Sequence, residues 1–182
     1  DLNGNGLTDI VATSRTPSVG DSADSVVVWF NTGSPVPGFI PTVVASGLGN
    51  PSASLVEPLT SDGLPDIAVS LEEVGLVAVF ANIQGSPGTF VQPQLFAASG
   101  VVDLAAADVV GGPEPDLFAA TPLGPAVFEN LGGPTLAFAP SLLGSPDGAV
   151  TAVALGGIDG DADTDLVAVG PGGSRWFERV DP

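Results

Sequence analysis

Short apolar runs, separated by turns rich in Gly, Pro and Asn, make up most of this chain. Between residues 47 and 98 this pattern predicts four short strands. They are expected near 53–57, 66–71, 75–81 and 90–97. Runs such as 75–80 and 150–155 are apolar at nearly every position instead of alternating. Continuous apolar character predicts strands that are buried on both faces, as in stacked sheets.

The same pattern recurs four times along the chain. An aspartate precedes an apolar run in each copy, at intervals of 57, 50 and 49 residues, and these are Asp9, Asp66, Asp116 and Asp165. A second run follows with an aromatic residue, at Trp29, Phe80, Phe128 and Trp176. This repetition predicts four units with boundaries at 1–46, 47–98, 99–144 and 145–182. Recurrence in register favours a position in the core between units for the four aromatic residues.

Composition narrows the fold class. The 25 Gly and 18 Pro among 182 residues argue against a helix bundle, because both disfavour helix interiors. With 44% hydrophobic and only 13% charged residues, the chain also lacks the signature of disorder. The prediction is therefore an all-β protein. A repeated four-stranded unit of this length is typical of a β-propeller blade, and a β-solenoid with shorter coils is the alternative.

The first and the last repeat units are incomplete in this sequence. The sequence begins inside a loop and stops soon after the strand predicted at 174–180. We therefore expect about four blades, of which the first lacks its innermost strand and the last its outermost strand. This leaves fourteen strands, where four complete blades would have sixteen. Either the chain is part of a longer propeller, or other copies complete its open edges.

Missing residue types exclude several kinds of chemistry. The chain has no Cys, Met, His, Lys or Tyr, which excludes disulfides, imidazole ligands and Ser-His-Asp triads, and we predict that it is not an enzyme. A net charge of −18 predicts no binding to nucleic acid. No apolar segment is long enough to predict membrane insertion. The three basic residues, Arg15, Arg175 and Arg179, are expected at the surface.

The loops that precede the repeated aspartates are candidate metal sites. In residues 1–9 oxygen-bearing side chains stand at loop positions one, three, five and nine, and position seven would offer a backbone carbonyl. These residues are Asp1, Asn3, Asn5, Asp9 and, at position seven, Leu7. A hard cation such as Ca²⁺ takes six to eight oxygen ligands, which this spacing could wrap around one point. Ala12 stands where an EF-hand needs Glu, so an EF-hand is excluded.

The fourth loop, 157–165, repeats this pattern with four carboxylates. They are Asp159, Asp161, Asp163 and Asp165, while position one is Gly157. Carboxylates so close together favour a bound cation. The middle loops, 58–66 and 108–116, have lost most of these oxygens, so metal is expected mainly in the first and fourth loops, and the sequence does not decide whether the middle loops bind it. The alternative for all four loops is a series of Asx turns that only shapes the backbone.

The loop sequence also resembles a known family. Residues 1–11, Asp-Leu-Asn-Gly-Asn-Gly-Leu-Thr-Asp-Ile-Val, resemble the calcium loop of FG-GAP/VCBS repeats, the repeats of the integrin-α-like propeller. The stretch from Phe80 to Gly85 and the later Gly88-Thr89-Phe90 look like the next two strands of that family. The resemblance implies a propeller, Ca²⁺ in the Asp-rich loops and a place outside the cell or at its surface. The lack of Lys and the acidic composition suit an exported bacterial protein.

Two functions remain open. The first is a secreted calcium-binding β-propeller module with a structural, adhesive or self-assembling role, whose partners are other protein chains, including copies of itself. The alternative is a carbohydrate-binding module that recognises extracellular glycans, as the non-catalytic part of a secreted polysaccharide-degrading enzyme. Fold resemblance does not choose between them, because one fold hosts many functions.

Overall fold

The chain forms four antiparallel sheets. The computed structural model describes residues 1–15, 24–36, 38–133, 136–143, 148–161 and 163–178. These residues form fourteen strands: β1 Ile10–Ser14, β2 Ser25–Asn31, β3 Phe39–Ser46, β4 Pro51–Glu57, β5 Asp66–Leu71, β6 Leu76–Phe80, β7 Gln94–Ala97, β8 Asp103–Ala107, β9 Asp116–Thr121, β10 Gly124–Asn130, β11 Phe138–Leu142, β12 Ala152–Gly156, β13 Asp165–Gly170 and β14 Gly173–Phe177. The all-β prediction and the strand number are confirmed. The described part contains no helix that is long and apolar enough to cross a membrane.

Each sheet is built from strands that follow one another along the chain. The first sheet has the order β1-β2-β3, the second β4-β5-β6-β7, the third β8-β9-β10-β11 and the fourth β12-β13-β14. Every neighbouring pair is antiparallel. Short turns of Gly, Pro and polar residues connect the strands, which favours pairing between sequence neighbours. Among the described residues, the first sheet has no counterpart of β4 and β8, and the fourth has no counterpart of β7 and β11.

The strands of the second sheet lie close to their predicted positions, with one difference. The last strand was predicted at 90–97, but β7 begins at Gln94. Phe90 forms only an isolated bridge with Asn82. Pro93 stands between this bridge and the strand, and a proline cannot donate a hydrogen bond to the neighbouring strand. The ladder is therefore shorter than the apolar run.

The sheets stack through three apolar clusters. The first and second sheets share a cluster around Val28 and Phe80, the second and third share one around Val79 and Phe128, and the third and fourth share one around Phe118. The first strands of the sheets also lie side by side, β4 between β1 and β8, and β8 between β4 and β12. Sandwiched strands bury both faces, and every residue of β5 and β9 is buried. The continuous apolar runs of the middle sheets are explained by this stacking.

Two sequence interpretations are wrong at the ends of the stack. Phe80 and Phe128 lie in the core as predicted, but Trp29 and Trp176 are 40% and 48% exposed. The run 150–155 is buried on one face only, because Ala152 alternates with the buried Val153 in β12. Within the described ranges the first and fourth sheets each have a single neighbouring sheet, and nothing else that is described covers the other face of either. The sequence pattern shows which side chains of a repeat can be buried. Whether they are buried depends on whether another sheet packs against that face.

Candidate metal-binding loops

The repeated aspartate closes each loop with hydrogen bonds. In the first loop, 1–9, Asp9 Oδ2 accepts the backbone N–H of Leu2 at 2.8 Å, and Oδ1 accepts the N–H of Asn31 at 2.8 Å. In the second loop Asp66 accepts the N–H groups of Thr60, one position later in its loop, and of Asn82; in the third loop Asp116 accepts those of Val109, Val110 and Asn130. Asp165 accepts the N–H of Ile158 in the fourth loop. Since loops with few other oxygens share this arrangement, it belongs to the fold and does not require a metal.

The remaining oxygens of the first loop are drawn together by Asx-type turns. The carboxylate of Asp1 accepts three backbone N–H groups, those of Gly4, Asn5 and Gly6, at 2.6–3.1 Å. Asn3 Oδ1 accepts the N–H of Asn5, and Asn5 Oδ1 accepts the N–H of Leu7. Gly4 and Gly6 have φ values of 75° and 81°, which side chains with a Cβ rarely adopt. The loop is therefore shaped by its own oxygens, as the Asx-turn alternative supposes, and this shape leaves the metal prediction open.

The fourth loop brings two of its predicted ligands together with a third carboxylate. One carboxylate oxygen from each of Asp159, Asp161 and Glu178 lies within 4.8 Å of the other two, and all three residues are exposed. Asp165 is fully buried as the closing aspartate and is not part of this group. Asx-type contacts shape the loop here too, since Asp159 Oδ1 accepts the N–H of Asp161 and Asp161 Oδ1 that of Asp163.

Asp163 stands out by its lack of a partner. Its Oδ1 is buried and accepts no hydrogen bond from the described residues. The neighbouring Asp163 carboxylate also raises the pKa of Asp161 above its ordinary value. Position one is Gly157, where a Cβ would lie 3.3 Å from the carbonyl oxygen of Asp163. Carboxylate and carbonyl oxygens crowded in this way suit a hard divalent cation, which would compensate their mutual repulsion.

Sequence reasoning missed Glu178. It follows the final strand, β14, and so comes to the loop from a different part of the repeat. A signal for it exists in the alignment of the units, because Glu129 occupies the equivalent place at the end of β10. The Glu129 carboxylate lies over the third loop, where a Cβ on Gly111 would be 3.1 Å from its Oε1. In strand register Phe177, not Trp176, is the counterpart of Phe128, so Glu178 and Glu129 hold the same position of the repeat, and both lie close to the loop of their own unit.

The two middle loops contain fewer acidic side chains that could bind a cation than the fourth loop does. In the second loop Asp62 Oδ1 accepts the Thr60 hydroxyl at 2.9 Å and the N–H of Leu64 at 2.9 Å. In the third loop Glu114 is 9% exposed. Within the described ranges, neither loop gathers three acidic side chains at one point.

The two described basic residues are exposed. Arg15 forms an exposed ion pair with Glu72 at 3.4 Å, and Arg175 is exposed on β14. Arg179 lies outside the described residues. On the first sheet a shallow apolar hollow is lined by Ile10, Trp29, Gly38 and Phe39. Comparison of the sequence with protein-family models and with curated proteins gives no match.

Proposed function

We propose that this chain is a secreted calcium-binding β-propeller module that acts without catalysis, as a structural or adhesive element through protein–protein contacts. The observation that carries the calcium assignment is the fourth loop. There the carboxylates of Asp159, Asp161 and Glu178 converge, and the same loop contains Asp163, whose Oδ1 has no partner among the described residues. Every donor in this set is oxygen, which is the ligand that Ca²⁺ prefers over softer metals. In the first loop Asp1, Asn3, Asn5, Asp9 and the carbonyl of Leu7 would form the second site.

The order of the sheets supports the propeller part of this proposal. Each sheet is an antiparallel meander, and the first strands β4, β8 and β12 lie side by side with β1 at one end. In a propeller the innermost strands of successive blades are neighbours around the central axis, while the blades pack face to face. The three apolar clusters are of this face-to-face kind.

Calcium would act as a clamp in this module. Glu178 follows β14, whereas Asp159 and Asp161 precede β13, so a cation held by all three would join the two ends of the β13–β14 hairpin. Extracellular calcium sites have Kd values of roughly 10⁻⁴–10⁻³ M, and millimolar calcium then stabilises by about 1 kcal/mol per site. Such a gain corresponds to roughly 2–4 °C in Tm for a chain of this size.

Thermal unfolding in calcium and in EGTA tests the proposal. We expect calcium to raise the Tm of the parent, and Asp161→Asn and Glu178→Gln each to reduce this rise. Asp161→Asn should also raise the Tm in EGTA, because it removes the repulsion from Asp163. Asp9 and Asp165 are poor choices for this test, since both also hold backbone N–H groups.

Asp62→Asn in the second loop is the matched control, because Asp62 belongs to an Asx turn outside any acidic group of the described chain. Its calcium response should equal that of the parent. Equal calcium responses in Asp161→Asn, Glu178→Gln and the parent would contradict the fourth-loop site. No calcium response in the parent would contradict both proposed sites.

The exposed Trp29 supports a second candidate, a carbohydrate-binding module. An indole that is 40% exposed beside the apolar hollow could stack on a sugar ring. Quenching or a shift of tryptophan fluorescence by extracellular oligosaccharides, lost in Trp29→Ala and kept in Trp176→Ala, would favour this function. Unchanged fluorescence across a glycan panel would leave the structural module as the better account.

A further inference from the structure

Each sheet–sheet interface uses the same positions of the repeat. On one side lie the residues equivalent to Ile67 and Phe80, which face the preceding sheet, and on the other those equivalent to Ala68 and Val79, which face the following one. Alternation along a strand separates the two sets, because neighbouring residues point to opposite faces. Three interfaces within the chain are built in this way.

The two end sheets each present one unmatched half of this interface. The outer face of the first sheet carries apolar residues paired in rows across its strands, Ile10, Ala12, Val27, Trp29, Phe39, Pro41 and Val43, and ends in a row of serines, Ser14, Ser25 and Ser46. The outer face of the fourth sheet carries Ala152, Ala154, Val167, Val169 and Trp176, together with Ser174 and, at its edge, the buried Asp165. Ile10 and Trp29 are the counterparts of Ile67 and Phe80, whereas Val167 and Trp176 are the counterparts of Ala68 and Val79. The outer face of the first sheet is therefore equivalent to the face with which a middle sheet contacts the preceding sheet. The outer face of the fourth sheet is equivalent to the face with which a middle sheet contacts the following sheet.

A second feature joins consecutive sheets inside the chain. The side-chain amide of Asn82, at the end of the third strand of its unit, donates to the carbonyl of Leu2 in the preceding loop at 2.8 Å, and to Pro65 of its own loop at 3.1 Å. Asn130 does the same with Leu59 at 3.0 Å and Pro115 at 3.1 Å. The two receiving residues, at loop position two, are 3% and 1% exposed. Each of these two junctions thus combines a buried apolar side chain with a hydrogen bond from an Asn side-chain amide to the carbonyl of that same residue.

Both halves of this junction are left over at the ends of the stack. Ile158 holds loop position two in the fourth loop and is 49% exposed, unlike Leu2. Asn31 is the counterpart of Asn82, and within the described residues its amide donates only to its own loop, to the carbonyl of Thr8 at 3.2 Å. The acceptor that would lie in a preceding sheet has no equivalent in the first sheet. The first sheet thus offers an amide donor, Asn31, and the fourth loop offers an apolar residue with its carbonyl, Ile158, which are the two groups that form each junction inside the chain.

We propose that copies of this chain bind head to tail, with the outer face of the fourth sheet of one copy covering the outer face of the first sheet of the next. The amide of Asn31 in one copy would then bind the carbonyl of Ile158 in the other, and Ile158 would be buried as Leu2 is. This inference rests on the proposed role as a protein-interaction module and names its partner. Because the two faces differ, the contact is heterologous and gives a closed ring or a filament.

Charge supports these two faces as the place of contact. The chain has a net charge of −18, yet the only charged residue that the register places on either outer face is Asp165, which is fully buried where it closes the fourth loop. Large uncharged apolar patches on such a chain mark interaction surfaces. The overall repulsion between copies opposes association, so moderate salt should strengthen it by screening.

Light scattering on the full chain tests the proposal. We expect the mass in calcium and moderate salt to exceed the 17.9 kDa of one copy. Trp29→Asp and Trp176→Asp should each reduce the assembly to single copies, because every copy of either variant then carries a charge in one of the two faces that the contact needs. An equimolar mixture of the two variants should contain pairs, since each variant retains the face that the other lacks. Leu123→Asp, at an exposed turn away from both faces, should leave the mass unchanged.

Several outcomes would overturn the head-to-tail contact. A parent mass of 17.9 kDa in all conditions would contradict the contact. Trp29→Asp and Trp176→Asp variants with the same mass as an assembled parent would contradict it as well. Loss of association in Trp29→Asp alone would indicate a symmetric contact between two first sheets. If either Trp variant fails to fold by circular dichroism, Val43→Asp and Val169→Asp replace them on the same faces. A single-copy parent with a calcium-dependent Tm would refute this inference and leave the calcium proposal standing.

Discussion

The two middle sheets and the two end sheets are built from the same repeat but bury it differently. In the second and third sheets, β5 and β9 are buried at every position. In the first sheet, β1 is exposed at both ends and β2 alternates between buried and partly or well exposed residues. Since sequence repeats are alike while burial is not, the stability of each unit depends on its neighbours, as in other repeat proteins.

The loops differ along the same division. The middle loops are closed by hydrogen bonds and contain few free oxygens, whereas the first and fourth loops combine the same closing aspartate with additional oxygen-bearing side chains. Closing the loop therefore needs no cation, and the first and fourth loops add further candidate ligands to the closing aspartate. The closing aspartate is present in all four units, and the candidate ligands only in the end units.

The largest expected effect separates the core aromatic residues of the two kinds of sheet. Phe80→Ala should lower the free energy of unfolding by about 3–5 kcal/mol, because it leaves a cavity between the first and second sheets. Trp29→Ala stands at the equivalent position of the first sheet and should cost about 1 kcal/mol or less in the single copy, since its side chain is already partly in water. Urea unfolding at low protein concentration measures both.

Phe128→Ala is the matched control for this comparison. Phe128 is 2% exposed between the second and third sheets, so its loss should resemble that of Phe80. If Trp29→Ala costs as much as Phe80→Ala in the single copy, the outer face of the first sheet is covered in solution by something within the same chain. That result would contradict the division into middle and end sheets.

A smaller effect is expected at the amide that joins consecutive units. Asn82→Ala removes two donors to buried carbonyls and the acceptor for the N–H of Gly88. Buried polar groups left without partners cost about 1–3 kcal/mol each, so we expect a loss of about 2–3 kcal/mol in total. Asn31→Ala should cost about 1 kcal/mol or less, because among the described residues the Asn31 side chain bonds only to Thr8 and Gly33 of its own unit.

Chemical unfolding of the two Asn variants, with Asn130→Ala as a second buried case, measures this difference. Asn130 makes the same pair of bonds to carbonyls as Asn82 and should behave alike. Equal losses for Asn31→Ala and Asn82→Ala in the single copy would show that the bond across units contributes no more than the bond within a unit. The junction proposed between copies would then lose its energetic basis.

Much of the fold could be predicted from sequence because the repeat is periodic at two scales. The strand-length apolar runs place β5 within the predicted 66–71, and the recurrence of Asp9 and its counterparts marks the start of the second strand in each unit. Glycine and proline separate the apolar runs and so predict where each strand ends. These signals are local, and local signals survive in a single sequence.

Burial at the ends of the stack could not be predicted in the same way. Trp29 is as hydrophobic as Phe80, and only the absence of a covering sheet on that side leaves it exposed. Glu178 was missed for a related reason, because the loop that it reaches lies in a different part of the repeat. In contrast, Asp159 and Asp161 were found, since their spacing of two residues in one loop is visible in the sequence.

The smallest expected effect concerns the closing aspartate of a middle loop and its dependence on pH. Burial raises the pKa of Asp66 above its ordinary value, against the lowering effect of the N–H groups of Asn82 and Thr60, and the charge of Asp62 raises it further. A raised pKa means that the folded state binds the proton more tightly than the unfolded state. This group therefore adds stability as the pH falls through its folded pKa and loses it as the pH rises.

Asp66→Asn, which cannot titrate, isolates this contribution. The variant should be less stable than the parent at neutral pH, because its amide nitrogen cannot accept a backbone N–H, and the difference should grow as the pH falls toward the raised pKa. Thermal unfolding of both proteins in EGTA across this pH range measures it. Asp62→Asn in both backgrounds is the control, since removing its charge should lower the pKa of Asp66 and shift the change to lower pH. A difference that stays constant or shrinks on acidification would mean that burial does not govern this carboxyl, and that the closed middle loops are held by their hydrogen bonds alone.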